Sequence, residues 1–264
     1  VNAITMTVLA VAVWRLFFRP RAEFDIALQR DMVSESFPLM LNHLLATLFF
    51  KIDIPMIRTM RGEAEVGRYG TAYKFVDAFN IIPSFFTFAL FPLMSRQAAG
   101  DRPALTRTYH LAIKLMVAVA LPLAVATTFL AAPMVGLLGG REFLPDGAIA
   151  LQLIIWSIPF GWINSVTNYL LVAIGQQRVL TRAFVLAVTF NIVINAILIP
   201  RYGFRAAAIS TILSEIVVGA VFQKYISHHL SPTPWRRLFW RLGVAALLMA
   251  ATTYLGAQLH ILLG

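Results

Sequence analysis

No cysteine occurs among the 264 residues, which excludes disulfides, thiolate catalysis and cysteine-held metal. Charge is scarce too: 13% of residues are Asp, Glu, Lys or Arg, against roughly a quarter in soluble domains. No joint between the apolar runs is long enough for an extramembrane domain, so nothing could house a sugar nucleotide. The phosphate-cradling pattern G-x-x-x-x-G-K-[ST], the H-E-x-x-H zinc pattern and a haem-binding pattern are all missing. The residues nominate no cofactor, no metal ligand and no catalytic group, and the expectation is a protein that is not an enzyme. No cleavable leader is visible, because the apolar stretch from Asn2 to Val13 has no basic residues before it.

Apolar residues dominate instead, at 59% of the chain. A helix crossing the hydrocarbon needs about 20 of them in a row. Candidate spans lie near residues 2–18, 35–59, 66–94, 109–131, 148–173, 180–200, 205–228 and 237–262. The expected fold is therefore all-α, a polytopic membrane bundle of about eight transmembrane helices. The net charge of +10 resides in short clusters between these runs, which points to topology signals and lipid head groups and not to nucleic acid. Alternate joints hold twelve and six basic residues, so the richer side is expected to face the cytoplasm. Both ends of the chain then face outside. With the abrupt start, this gives the expectation of a fragment of a longer protein. The segment "RPRAEFDIALQRDM" reads as an amphipathic helix on the cytoplasmic face, with Phe24, Ala27 and Leu28 on one side. Trp235 and Trp240 beside Arg236, Arg237 and Arg241 read as an interfacial anchor.

Polar groups within the spans carry the functional signal, since a charge at membrane depth usually faces a partner or water. Lys51 and Asp53 are two residues apart, about 200° around a helix, so each needs its own partner on another helix or in water. Pro55 and Pro83 remove backbone donors and are expected hinges. Lys74, Asp77, Asn80, Ser84 and Thr87 recur at spacings of three, three, four and three, forming one polar stripe among phenylalanines. A hydrophilic lumen explains such a stripe, although an internal Lys74–Asp77 pair is also in reach. Asn164 with Asn168, Asn191 with Asn195, and Glu215 with Gln223 are weaker marks, read mainly as hydrogen bonding between helices. His43, alone on an apolar face, reads as a packed contact.

The string from Asp53 to Pro92 resembles the opening of the second lobe of bacterial polysaccharide flippases, in the multidrug/oligosaccharidyl-lipid/polysaccharide exporter superfamily. The matching positions are Lys51 and Asp53, then Gly67, Tyr69 and Ala72, then Pro83, and then Phe91, Pro92 and Ser95. Downstream, "NIVINAILIPRYGFRAAAIST" is similar to a second family string, through Asn191, Asn195, Leu198, Ile199, Pro200, Tyr202 and Gly203. Ala206 stands where the family usually has glycine, which puts a tight helix approach there in doubt.

The resemblance implies two helical lobes around a central cavity. Residues 1–33 would supply the last helix of the first lobe and a cytoplasmic amphipathic linker, and residues 34–264 most of the second lobe. It further implies alternating-access transfer of an undecaprenyl-pyrophosphate-linked oligosaccharide across the bacterial cytoplasmic membrane. Lys51, Lys74 and Arg58 would meet the anionic head group, and Asn80, Ser84, Asn164 and Asn168 the sugar. Asp53 and Asp77 would orient the cations or couple to protons or sodium. The implied partners are the polyprenyl-pyrophosphate-linked glycan, the bilayer, and polysaccharide polymerase and chain-length proteins. Rival readings are a flippase for lipid-linked peptidoglycan precursor, a cation-coupled multidrug exporter of the same superfamily, and an integral-membrane glycan polymerase or ligase. The lysines favour an anionic substrate over a cationic drug, and the short outer joints disfavour a polymerase.

Overall fold

Backbone amides in hydrocarbon find partners only within helices or closed barrels. The computed structural model describes residues 2–16 and 25–263, and among these the regular structure is entirely helical. Residues 19–24 of the expected amphipathic segment, Phe24 included, lie outside the described residues.

The helices are α1 (Asn2–Leu16), α2 (Ile26–Lys51), α3 (Asp53–Arg61), α4 (Glu63–Phe79), α5 (Ile81–Gly100), α6 (Arg102–Met134), α7 (Asp146–Ile154), α8 (Ile158–Ala173), α9 (Gln177–Tyr202), α10 (Phe204–His229) and α11 (Trp235–Leu263). Five stretches are long and apolar enough to cross a membrane: Glu63–Gly100, Arg102–Gly139, Asp146–Ala173, Gln177–Tyr202 and Phe204–His229. Met40–Lys51 with Asp53–Arg61 makes a sixth if that bent pair is one span. The expected first and last spans are apolar helices over Ala3–Leu16 and Leu238–Tyr254 among the described residues, too short to count with the others.

The chain forms two compact units, Val1–Leu41 and Asn42–Gly264. In the first, Asp25 caps α2 by accepting from the amides of Ala27 (2.9 Å) and Leu28 (3.1 Å). The helix then continues through residues 33 and 34 without a break.

In the second unit two of the breaks, at Ile52 and Asn80, have a common cause. A proline cannot donate to the carbonyl four residues back, and its ring crowds that carbonyl. Pro55 therefore frees the carbonyl of Lys51, and α2 gives way to α3 around Ile52 with a bend of 42°. Pro83 stands at the same offset from Asn80, the residue between α4 and α5. The joint into α6 is written in "GDRPAL": Asp101 accepts from the amide of Ala104 (2.9 Å), and Pro103 needs no donor in the first turn.

Ion pairs and a glycine pin one end of the bundle. Arg68 meets Asp146 at 3.1 Å, tying α4 to α7. The Glu65 carboxylate is held by Arg61 (2.8 Å) and accepts from the Phe204 amide (3.0 Å), filling an open donor at the start of α10. Gly203, at φ 59°, makes that turn possible, since a Cβ there would stand 2.2 Å from a Glu65 oxygen. Ala206, Ala207 and Ala208, the small residues in the first turn of α10, are all buried. Large side chains fill the centre, with Tyr69, Met94, Tyr109, Ile113, Leu151, Trp162 and Phe222 almost wholly enclosed.

Candidate substrate cavity

A cavity of about 560 Å³ opens in the second unit, walled by α2, α4, α5, α8 and α10. The sequence places polar groups there because α4 and α5 present their stripe to it. Asp77, Asn80 and Ser84 all line the cavity, and so does Pro83 at the break between the two helices. Thr87, the last of the stripe, is buried and bonds back to the Pro83 carbonyl (2.7 Å). His43 also lines the cavity from α2 and is exposed there, so its expected role as a packed contact does not hold.

Lys51 and Asp53 part company as their angular separation requires. The Lys51 ammonium donates to both oxygens of Asp77, at 2.8 and 3.1 Å, and sits 4.4 Å from the centre of the Tyr73 ring. Tyr73 is itself anchored by donating to the Phe50 carbonyl at 2.5 Å. Asp77 thus takes Lys51 on α2 as partner and not Lys74 on its own helix. A lone charge facing the hydrocarbon centre would cost about 2.5–3.5 kcal/mol on insertion scales, and pairing within a polar cavity avoids that exposure. Both side chains remain about half exposed, at 46% and 53%, which leaves the pair open to an arriving ion.

Lys74 faces a second groove of about 370 Å³, lined also by Gly67, Gly70, Thr71 and Phe143. Lys51, Tyr73 and Asp77 line both spaces, so the ion pair stands where they adjoin. Arg58 lines neither and pairs with Glu63 (2.8 Å) in an exposed position.

Asp53 turns the opposite way, into a site with 1% exposure. One oxygen accepts from Thr211 (2.7 Å) and Tyr69 (2.9 Å), the other from Asn195 (2.9 Å). Asn195 also donates to Asn191 (2.9 Å) and accepts from Ser210 (2.5 Å), and Asn191 donates to Ser214 (3.3 Å). This network joins α3, α4, α9 and α10 through neutral donors. The two asparagines of α9 do bond between helices, as their shared face suggests.

The asparagines of α8 have separate surroundings. Asn164 donates to the carboxylate (2.7 Å) and the backbone carbonyl (2.8 Å) of the buried Glu215 on α10, while Asn168 lies a turn further on and lines neither space. Gln223, the other polar mark of α10, donates to Tyr109 (2.7 Å). Several groups were not singled out from sequence as site residues. Trp162 donates to Asn80 (3.0 Å), and Thr211, Tyr73 and Glu215 line the cavity. The signal for Thr211 was the run of small and hydroxyl residues Ala207, Ser210, Thr211 and Ser214 along one face of α10. Glu215 was already marked as a polar group within a span.

Residues 2–146 match the model of a family described as polysaccharide biosynthesis protein. An uncharacterized membrane protein of Methanocaldococcus jannaschii is 23% identical over 229 residues, 83% of this chain and 44% of the relative. A Haloferax volcanii protein named "Probable low-salt glycan biosynthesis flippase" is 22% identical over 205 residues, 77% of this chain and 43% of that protein. The chain thus spans less than half the length of these two relatives. The lipid II flippase MurJ, in an inward closed conformation, superposes with a TM-score of 0.77 at 16% identity, covering 96% of this chain and 54% of that one. At that identity the likeness establishes the fold, a multi-pass helical membrane bundle.

Proposed function

Because the chain belongs to the polysaccharide biosynthesis protein family, we propose that it serves in a flippase that moves a lipid-linked glycan across the membrane. The substrate we infer is an undecaprenyl-pyrophosphate-linked oligosaccharide, carried to the outer leaflet of a bacterial cytoplasmic membrane by alternating access. The observation that carries this reading is the Lys51–Asp77 pair, half exposed on the wall of a cavity that also presents Asn80 and Ser84.

A pyrophosphate and a sugar cannot enter hydrocarbon without replacing their lost water. Lys51 supplies a charge-assisted donor once the phosphate takes the place of Asp77, a carboxylate that keeps the cation neutralised until then. Lys74, in the adjoining groove, meets the anion next, with Arg58 third along the path. Asn80 and Ser84 offer amide and hydroxyl contacts to sugar, with Asn164 and Asn168 deeper in α8, while the isoprenoid tail stays in lipid. Asp53 is the candidate coupling group for a proton or sodium ion, since its three hydrogen-bond partners are neutral. Pro55 and Pro83 are the candidate hinges. Polysaccharide polymerase and chain-length proteins would receive the product.

The test is glycan export by the full-length protein carrying Lys51→Ala or Lys74→Ala, with membrane insertion checked in parallel. Export should fall at least tenfold in each variant while insertion is kept. Wild-type surface glycan from both inserted variants would overturn the reading.

A further inference from the structure

The Lys51–Asp77 pair resists displacement. Both Asp77 oxygens accept from the ammonium, at 2.8 and 3.1 Å, so the cation gives its donors to its own chain. Tyr73 backs the ammonium from 4.4 Å and is itself fixed by the Phe50 carbonyl. Because Asp77 belongs to the same molecule, it competes for Lys51 at a high effective concentration. A second cation stands close by. Lys74 is exposed, lines the groove that Lys51, Tyr73 and Asp77 also line, and among the described residues enters no ion pair. That groove is therefore lined by two lysines and one carboxylate, and the carboxylate neutralises only one of them.

We propose that Asp77 is a specificity-determining residue, a built-in competitor that keeps single phosphodiesters off Lys51 and yields to a lipid pyrophosphate, which Lys51 and Lys74 hold together. This rests on the reading of the cavity as the path of a lipid-linked glycan. A bilayer holds phospholipid in great excess over any glycan carrier, and each phospholipid brings a phosphate that an unguarded lysine would bind. A phosphodiester carries a single negative charge. To take Lys51 it must exchange one anion for another, leaving Asp77 without its cation and repelled at close range. That exchange gains nothing. A pyrophosphate carries at least two charges on linked phosphates. One phosphate takes Lys51 and the other takes Lys74, so two charge-assisted contacts form for the one that breaks. The displaced Asp77 side chain, already 53% exposed, is left in an open cavity and not in hydrocarbon. The carboxylate thus sets a threshold that every anion faces, and Lys74 lets only the pyrophosphate pass it.

The experiment measures binding of farnesyl pyrophosphate and of farnesyl methyl phosphate, a diester with the same tail. The full-length protein is held in a neutral detergent free of phosphate, and binding is read by calorimetry. The wild type should bind the pyrophosphate saturably and the diester at least tenfold more weakly. Asp77→Asn lowers the threshold for both, so each ligand should bind at least tenfold more tightly than to the wild type. Asp77→Glu, which keeps the charge, should behave as the wild type does. Lys74→Ala should bring the two ligands within threefold of each other. Lys74 is exposed, so this variant and the wild type keep the proposal open to refutation if Asp77→Asn fails to fold. Unchanged diester binding in Asp77→Asn, or equal binding of both ligands by the wild type, would overturn the role of Asp77 and leave Lys51 as an anion site. Binding of neither ligand by the wild type or by Asp77→Asn would remove the anion path as well.

Discussion

Asp53 is the residue on which most of the second unit's polar economy turns, because three helices each send it a donor. An unpaired buried donor costs about 1–3 kcal/mol. Asp53→Ala removes the acceptor shared by Tyr69, Thr211 and Asn195. Thr211 and Asn195 keep a second acceptor in Ala207 and Asn191, so the change should lower stability by about 1–3 kcal/mol. Asp53→Asn keeps one acceptor oxygen and should cost about half as much. Thermal unfolding in detergent measures both; equal stability of Asp53→Ala and wild type would mean that the network forms without its centre. Gly203 offers an independent check at the same scale. The Glu65 oxygen beside it is the end of a flexible chain but is fixed by Arg61 and by the Phe204 amide. Gly203→Ala must therefore displace a held carboxylate as well as adopt a positive φ, and a loss of about 1–3 kcal/mol is expected in the same assay.

At the scale of elements, the two proline-marked breaks decide where side chains point. The break at Ile52 is what lets Lys51 reach Asp77 while Asp53 reaches α10. Pro55→Ala restores an amide to the Lys51 carbonyl, so α2 and α3 should straighten from their 42° bend. Spin labels on cysteines introduced at Leu44 and Thr59 can measure this, and the absence of native cysteine makes the labelling specific. The distance between them should lengthen in Pro55→Ala, and an unchanged distribution would assign the bend to tertiary packing. Much of this geometry was legible in advance. The two-residue offset of Lys51 and Asp53, the polar period of α4 and α5 and the prolines all act locally, and local rules read them. The partner of Asp77 did not follow from such rules. An i, i+3 lysine was available, but the ammonium of Lys51, 26 residues away and seated on Tyr73, holds the carboxylate instead. Glu215 and Asn164 likewise meet only because α8 and α10 pack side by side, which no spacing within either helix reveals.

For the molecule as a whole, the open matter is which way it faces, and the joints between the spans supply the argument. The turn at Gly62, the joint containing Gly140 and the turn at Gly203 alternate with those at Asp101, Gln176 and Ser231 along the helices. The second set lies among the twelve basic residues and the first among the six. Basic joints resist translocation, so the turns at Gly62, Gly140 and Gly203 should be outside. The Lys74 groove, lined by Gly67 and Phe143, then lies toward the outer end of the bundle, and the Lys51–Asp77 pair separates it from the deeper cavity. Single cysteines at Arg141 and Gln176 test this orientation in intact cells, using a membrane-impermeant thiol reagent. The cysteine at Arg141 should react directly, and the one at Gln176 only after the membrane is permeabilised. The reverse pattern would turn the bundle over. The groove at Lys74 would then be an inner entrance, and the order in which an anion meets the two lysines would have to be inverted.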